Sequence, residues 1–172
     1  VQPQWPPITQ QSTTEHTPGL WVWAELFTAD VAAAKAFYGG VFGWEFRTFG
    51  SGPDAYTLVT NEGTPVAGIL HRKGSSNASH LARWIGLVSV ADVERAAEDA
   101  ALSGGEVLVQ PRELRGRGSV ALIADPEGAR FGVIRSTAGD PPDSPPPPGA
   151  WIWRELWARD SAAMADFYAQ LG

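Results

Sequence analysis

The segment Pro18 to Phe42, PGLWVWAELFTADVAAAKAFYGGVF, constrains this chain more than any other, because the chain begins it a second time. Laid over Pro148 to Gly172 at an offset of 130, it is identical at Pro18, Gly19, Trp21, Trp23, Glu25, Leu26, Asp30, Ala32, Ala33, Phe37 and Tyr38, 11 of 25 positions without a gap. Each copy reads as a strand, a cap and a helix in immediate succession. In a strand, Trp21, Trp23, Glu25 and Phe27 share one face and Val22, Ala24 and Leu26 the other, so one face is large and aromatic with a single carboxylate. Asp30 is a suitable N-cap for the helix. Val31, Ala34, Phe37, Tyr38 and Val41 form its apolar stripe, and Gly39-Gly40 is a natural stop.

Between the two copies the pattern runs through two units of the same order. After Gly43 come three strand-like runs, Trp44 to Phe49, Ala55 to Thr60 and Pro65 to about Arg72, separated by turn formers. The second unit has a strand at Trp84 to Val90 and a helix capped by Asp92, with Val93, Ala96, Ala97, Ala100 and Ala101 on one stripe. Ser103-Gly104-Gly105 ends that helix, and strands follow at Glu106 to Gln110, Ser119 to Ala124 and Arg130 to Arg135. Asp125-Pro126-Glu127-Gly128 suits a type I turn. The fold class is therefore α+β, with paired βαβββ units whose curved mixed sheets enclose a cavity. Residues 1–17 read as an extended N-terminal arm whose Trp5 and Ile8 are free to dock. Residues 18–136 form the domain, as units 18–72 and 80–136, and 137–149 is a stiff Pro-rich linker. Residues 150–172 are the first strand and helix of a second, incomplete domain, a third unit with no hairpin of its own to pack against.

Composition removes several functions. A hydrophobic fraction of 44% over 172 residues supports a proper core. No apolar run approaches the roughly 18 to 20 residues of a membrane helix. A net charge of −6 without a Lys/Arg cluster large enough to offset it argues against nucleic acid. The absence of cysteine excludes disulfides, thiolate metal sites and a cysteine nucleophile, and suits a cytoplasmic protein.

The run from Asp30 through Phe37-Tyr38 to Gly43-Trp44, then Val90-Ala91-Asp92 with Gly104-Gly105, then Asp125-Pro126-Glu127-Gly128, resembles the vicinal oxygen chelate superfamily, which includes glyoxalase I, extradiol dioxygenases and bleomycin-resistance proteins. The tandem layout is most similar to the two-domain glyoxalase-like proteins of bacteria. That resemblance implies a divalent metal held by His, Gln or Glu from the first and last strands of each unit. The corresponding positions here are Trp23, Ile85, Gly132 and the stretch Val66 to Ile69, none of which carries a metal donor. Neither a metal nor another cofactor is expected.

Three readings follow. In the first, the chain is a metal-free, glyoxalase-like protein that sequesters or acts on a small hydrophobic or aromatic molecule, with Trp21, Trp23, Phe27, Ile85, Arg115 and Gly132 in contact with it and Glu25 as catalytic base. Glu25 equally suits an ion pair with an arginine, and Arg112, Arg115 and Arg117 form the basic cluster of the chain, either gripping an anion or solvated. The second is a metal-dependent lyase or dioxygenase of the same superfamily, with ligands displaced to Glu25, His71 or His80. The third is an assembly module forming a homodimer by exchange of the third unit. No membrane partner and no nucleic acid is expected in any of them.

Overall fold

In a computed structural model of the chain, which describes residues 4–11, 13–72 and 82–171, eight strands form one continuous sheet. The elements are β1 (Trp21–Thr28), α1 (Val31–Phe42), β2 (Glu45–Phe49), β3 (Tyr56–Asn61), β4 (Thr64–His71), β5 (Arg83–Ser89), α2 (Val93–Leu102), β6 (Glu106–Leu114), β7 (Gly118–Ala124), β8 (Arg130–Ser136) and α3 (Ser161–Ala169). Their order across the sheet is β2-β3-β4-β1-β5-β8-β7-β6. In each unit the first strand pairs in parallel with the last, β1 with β4 and β5 with β8, and the two units join where β1 runs antiparallel to β5. The paired βαβββ units of an α+β fold are thus present, and their sheets are fused edge to edge into one curved sheet.

The helices lie on one face. Asp30 and Asp92 cap α1 and α2 by accepting the N–H of Ala33 at 2.8 Å and of Arg95 at 2.9 Å. The α2 stripe packs as its spacing predicts, burying Val93, Ala96, Ala97 and Ala100 against Ala121, Ile123, Phe131 and Val133, whereas Ala101 faces solvent. In α1 the expected stripe is only half used: Val31, Ala34 and Tyr38 pack against Leu26, Val59 and Ile69, while Phe37 and Val41 remain 61% and 56% exposed. The helix also runs through Gly39-Gly40 and stops at Gly43, whose φ of +71° is left-handed. Gly39 serves close packing instead, since a Cβ there would lie 3.2 Å from the Phe46 ring. The 125–128 turn closes as expected, with the Gly128 N–H on the Asp125 carbonyl at 2.9 Å.

The third unit departs from expectation. Trp151 to Ala158 joins no strand ladder, although the helix after it forms with Asp160 as its cap. Helix α3 packs on the second unit through Phe167 and Leu171. The segment before it is pinned to the first unit, with Trp151 Nε1 donating to the Val66 carbonyl at 3.0 Å. Among the described residues no helix is long and apolar enough to cross a membrane.

Candidate functional site

The helix-free inner face of the sheet carries the candidate site, and β1 decides what faces it. Trp21 pairs with Val88 and Trp23 with Leu87, so Val22 is an extra residue, a β-bulge that inverts the alternation. From Trp23 onward the expected face holds: Trp23, Glu25 and Phe27 pair with Leu87, Ile85 and Arg83, and Trp23, Phe27, Ile85 and Leu87 share one cluster. Upstream it does not. Val22 turns inward to join that cluster, and Trp21 turns to the outer face. There its ring covers Gly86, where a Cβ would meet it at 2.1 Å. Glycine at position 86 leaves the space that the indole of Trp21 occupies. Gly132, paired with Leu122 and with Leu87, also faces inward. Arg115 is exposed, and what it contributes is its carbonyl, which accepts the N–H of Trp5 at 2.9 Å.

The arginine that enters the site is Arg117. It is 0% exposed, with Nη1 2.6 Å from Glu25 Oε1. Its Nε and Nη2 both donate to the carbonyl of Pro6, at 3.0 and 2.8 Å. The guanidinium lies 4.4 Å from the Tyr56 ring centroid and 5.4 Å from those of Trp5 and Trp23, within cation–π range of all three. The turn that delivers it depends on its two glycines. Gly116 and Gly118 have φ of +85° and +118°, and a Cβ on Gly118 would sit 2.0 Å from the Arg135 carbonyl oxygen.

Tyr56 completes the arrangement. Its hydroxyl accepts from Trp23 Nε1 at 3.1 Å and donates to Glu25 Oε1 at 3.4 Å. It stands over Gly68, where a Cβ would be 1.9 Å from the hydroxyl oxygen. Burial raises the Tyr56 pKa, so the hydroxyl keeps its proton and remains a donor. Burial likewise pushes the Glu25 carboxyl up, opposed by the charge of Arg117 and by the Tyr56 hydrogen bond.

The inner face is occupied by the chain itself. Pro6 and Ile8 of the arm are buried, Ile8 at 2% exposure within the Trp23 cluster, and the Trp5 ring packs 4.7 Å from that of Tyr56. Docking of Trp5 and Ile8 follows from an apolar pair in a Pro-rich arm. The approach of Arg117 to Glu25 across 92 positions leaves no local signal beyond the need of a buried carboxylate for a partner and the glycines that bracket the arginine. Tyr56 is unmarked in sequence, except for Gly68, which pairs with Leu58 across the β3–β4 ladder and lies diagonally beneath the Tyr56 ring.

Among the described residues, the inner-face positions that correspond to the expected ligands do not fit a divalent cation. Trp23, Ile85, Gly68 and Gly132 turn inward without an oxygen or imidazole donor, and the one carboxylate among them is already bound by Arg117. Of the displaced ligands, Glu25 and His71 do not converge. Glu25 aligns with Gly68 on the inner face, whereas His71 aligns with Thr28 on the opposite side of the strand and is exposed; His80 lies outside the described residues. Among the described residues, no three His, Cys, Asp or Glu side chains are grouped to hold a metal.

Known proteins share this architecture. The sequence pattern of the Glyoxalase/Bleomycin resistance protein/Dioxygenase superfamily matches residues 21–133. Anthracycline biosynthesis protein DnrV of Streptomyces peucetius is 35% identical over 92% of this chain and 62% of its own length. Putative glyoxylase CFP32 of Mycobacterium tuberculosis is 27% identical with the same coverage. The chain thus spans about three fifths of the length of these relatives. Among solved structures, methylmalonyl-CoA epimerase of Streptomyces coelicolor in complex with 2-nitronate-propionyl-CoA is 18% identical with a TM-score of 0.54, covering 73% of this chain and 100% of that one. The Mn(II)-bound glyoxalase from Novosphingobium aromaticivorans is 18% identical with a TM-score of 0.50, covering 83% and 43%. At such identities these structures share the fold alone.

Proposed function

The chain belongs to the glyoxalase/bleomycin resistance protein/dioxygenase superfamily, and from that premise we propose that it binds a small, flat, hydrophobic or aromatic molecule on the inner face of its sheet without a divalent metal. The observation that carries this reading is Arg117, a fully buried cation lying against the rings of Trp23 and Tyr56 and anchored on Glu25. Indole and phenol rings supply stacking surface, and the guanidinium supplies a fixed donor for one polar atom of the ligand. Phe27 and Ile85 extend the apolar wall, Gly132 keeps the floor low, and Trp21, on the other face, is left out. The relatives named for anthracycline biosynthesis favour a planar, polycyclic molecule. Any proton transfer falls to Glu25, because burial strengthens its hold on a proton, as a general base requires.

Calorimetry tests both halves of the proposal. A panel of two- and three-ring aromatic compounds is expected to include binders, and Ni, Zn, Fe and Mn are expected to give no stoichiometric heat. Metal uptake with micromolar affinity or better would sink the metal-free reading; a silent aromatic panel would sink the binding reading.

Assembly is a second reading with its own observation. Ile152, Trp153 and Trp157 are 78%, 75% and 90% exposed in the segment that joins no ladder, an apolar surface suited to a second copy of this chain. Light scattering on the chain and on a Trp153→Arg/Trp157→Arg variant decides it: a monomer in both removes this reading.

A further inference from the structure

The position of Pro6 and Trp5 specifies the ligand more closely than the family does. Arg117 turns one nitrogen to Glu25 and the other edge of its guanidinium, Nε and Nη2, to the Pro6 carbonyl oxygen. The Trp5 ring, on the residue before, packs against Tyr56 at an interplanar angle of 55° and lies 5.4 Å from the guanidinium. A neutral carbonyl oxygen beside a flat ring is thus the chemistry that the chain itself places in the site. We propose that the N-terminal arm is a displaceable occupant that mimics the true ligand, a flat aromatic compound bearing a neutral carbonyl oxygen, and that such a compound binds by expelling Trp5 and Pro6. This deepens the binding reading above and rests on it.

Two features favour expulsion over permanent closure. Among the described residues, one backbone–backbone hydrogen bond, Trp5 N–H to the Arg115 carbonyl at 2.9 Å, ties residues 4–11 to the domain, and the other ties are side-chain donors, Arg117 to the Pro6 carbonyl and Gln10 Nε2 to the Gly63 carbonyl at 2.8 Å. Pro6 and Pro7 have no N–H, so the arm lacks the donors with which to zip onto the sheet as a ninth strand. The neutrality of the ligand oxygen follows from charge. Arg117 and Glu25 compensate each other at 2.6 Å, and a ligand carboxylate would add an unmatched third charge to a buried site. A ketone, quinone or amide oxygen replaces the Pro6 oxygen one for one and leaves the pair balanced.

The cost of expelling the arm appears as weakened affinity. When the binding-competent state is a fraction of the population, the apparent Kd rises by the inverse of that fraction. The test uses 2-acetylnaphthalene as probe, 2-ethylnaphthalene as the same shape without the acceptor, and a Trp5→Ala/Ile8→Ala chain whose arm is loosened. The expected result is binding of 2-acetylnaphthalene at least tenfold tighter to the loosened chain than to the unaltered one, and at least tenfold tighter than 2-ethylnaphthalene in both. Saturating the unaltered chain is also expected to speed hydrogen exchange at the Trp5 amide, the reverse of ordinary ligand protection, and this readout does not depend on how well the double variant folds. Equal affinity in both chains with an unchanged or slowed Trp5 amide overturns the arm as occupant and leaves the inner-face binding reading standing. No binding to either chain, with the Trp5 amide unchanged, overturns that reading and this inference together.

Discussion

Arg117 and Glu25 meet at 2.6 Å, a cation that is always charged against a carboxyl that can take up a proton, and the two are not equivalent when one is removed. Replacing Glu25 by Leu leaves a buried guanidinium that has no means of neutralising itself. The expected loss is about 3–5 kcal/mol, the range for a buried pair broken on one side. Replacing Arg117 by Met leaves a carboxyl that escapes by protonation, so the loss is smaller and shrinks as pH is lowered. The Glu25→Leu/Arg117→Met double variant is expected to be more stable than Glu25→Leu alone. Urea unfolding of the three variants at two pH values checks this; equal, pH-independent losses in the two single variants would contradict it.

Glu25 also sets a direction for the pH dependence of the unaltered protein. Its folded-state pKa is raised above the ordinary carboxylate value of 4.5, chiefly by burial. The folded state therefore holds this proton more tightly than the unfolded chain does. The contribution of the group is fully present below 4.5 and is lost as pH rises through the folded-state value. Measured as the stability of the unaltered chain minus that of a Glu25→Gln chain, which removes the titration, the difference is expected to fall with rising pH. A difference that climbs across this window would show the pair to be dominated by the charge of Arg117.

What the sequence made legible was local. The capping aspartates, the alanine stripe of α2 and the 125–128 turn each depend on contacts within a few residues, and spacing alone predicts them. The face of Trp21 was not legible, because one extra residue at Val22 inverts the alternation, and the glycine that makes room for the ring, Gly86, lies on a different strand. The stop of α1 was misplaced for a related reason: glycine serves two purposes, and Gly39 answers to the Phe46 ring whereas Gly43 answers to φ. At the site, Glu25 announced its need of a partner. Which of Arg112, Arg115 and Arg117 would meet it depended on a turn between β6 and β7 that no periodicity describes.

Gly68 supports Tyr56 by being empty. A Cβ at that position would sit 1.9 Å from the Tyr56 hydroxyl oxygen, so Gly68→Ala forces the ring away from both Trp23 Nε1 and Glu25. Overpacking of this kind costs about 1–3 kcal/mol. In a Tyr56→Leu background, where the ring is gone, the same alanine is expected to cost less than about 0.5 kcal/mol, since the two residues then no longer interact. Thermal unfolding of the four chains gives the cycle; an undiminished cost of alanine without the tyrosine ring would place the strain in the β4 backbone instead.

Glu127 holds the start of α3 against the second unit. Its carboxylate accepts the N–H of Arg159 at 2.7 Å and of Asp160 at 2.9 Å, just before the helix that seats Phe167 and Leu171. Those two amides lower its pKa below 4.5, with the Arg159 N–H first. The sign is opposite to that of Glu25: the unfolded carboxyl holds the proton more tightly, so the contribution is present above 4.5 and is lost as pH falls through the folded-state value. The Arg159 and Asp160 amide resonances are therefore expected to move together on acidification, with a midpoint below 4.5, and to stay still in a Glu127→Gln chain. If they moved equally in that variant, the tie between Glu127 and α3 would not govern the docking of the third unit.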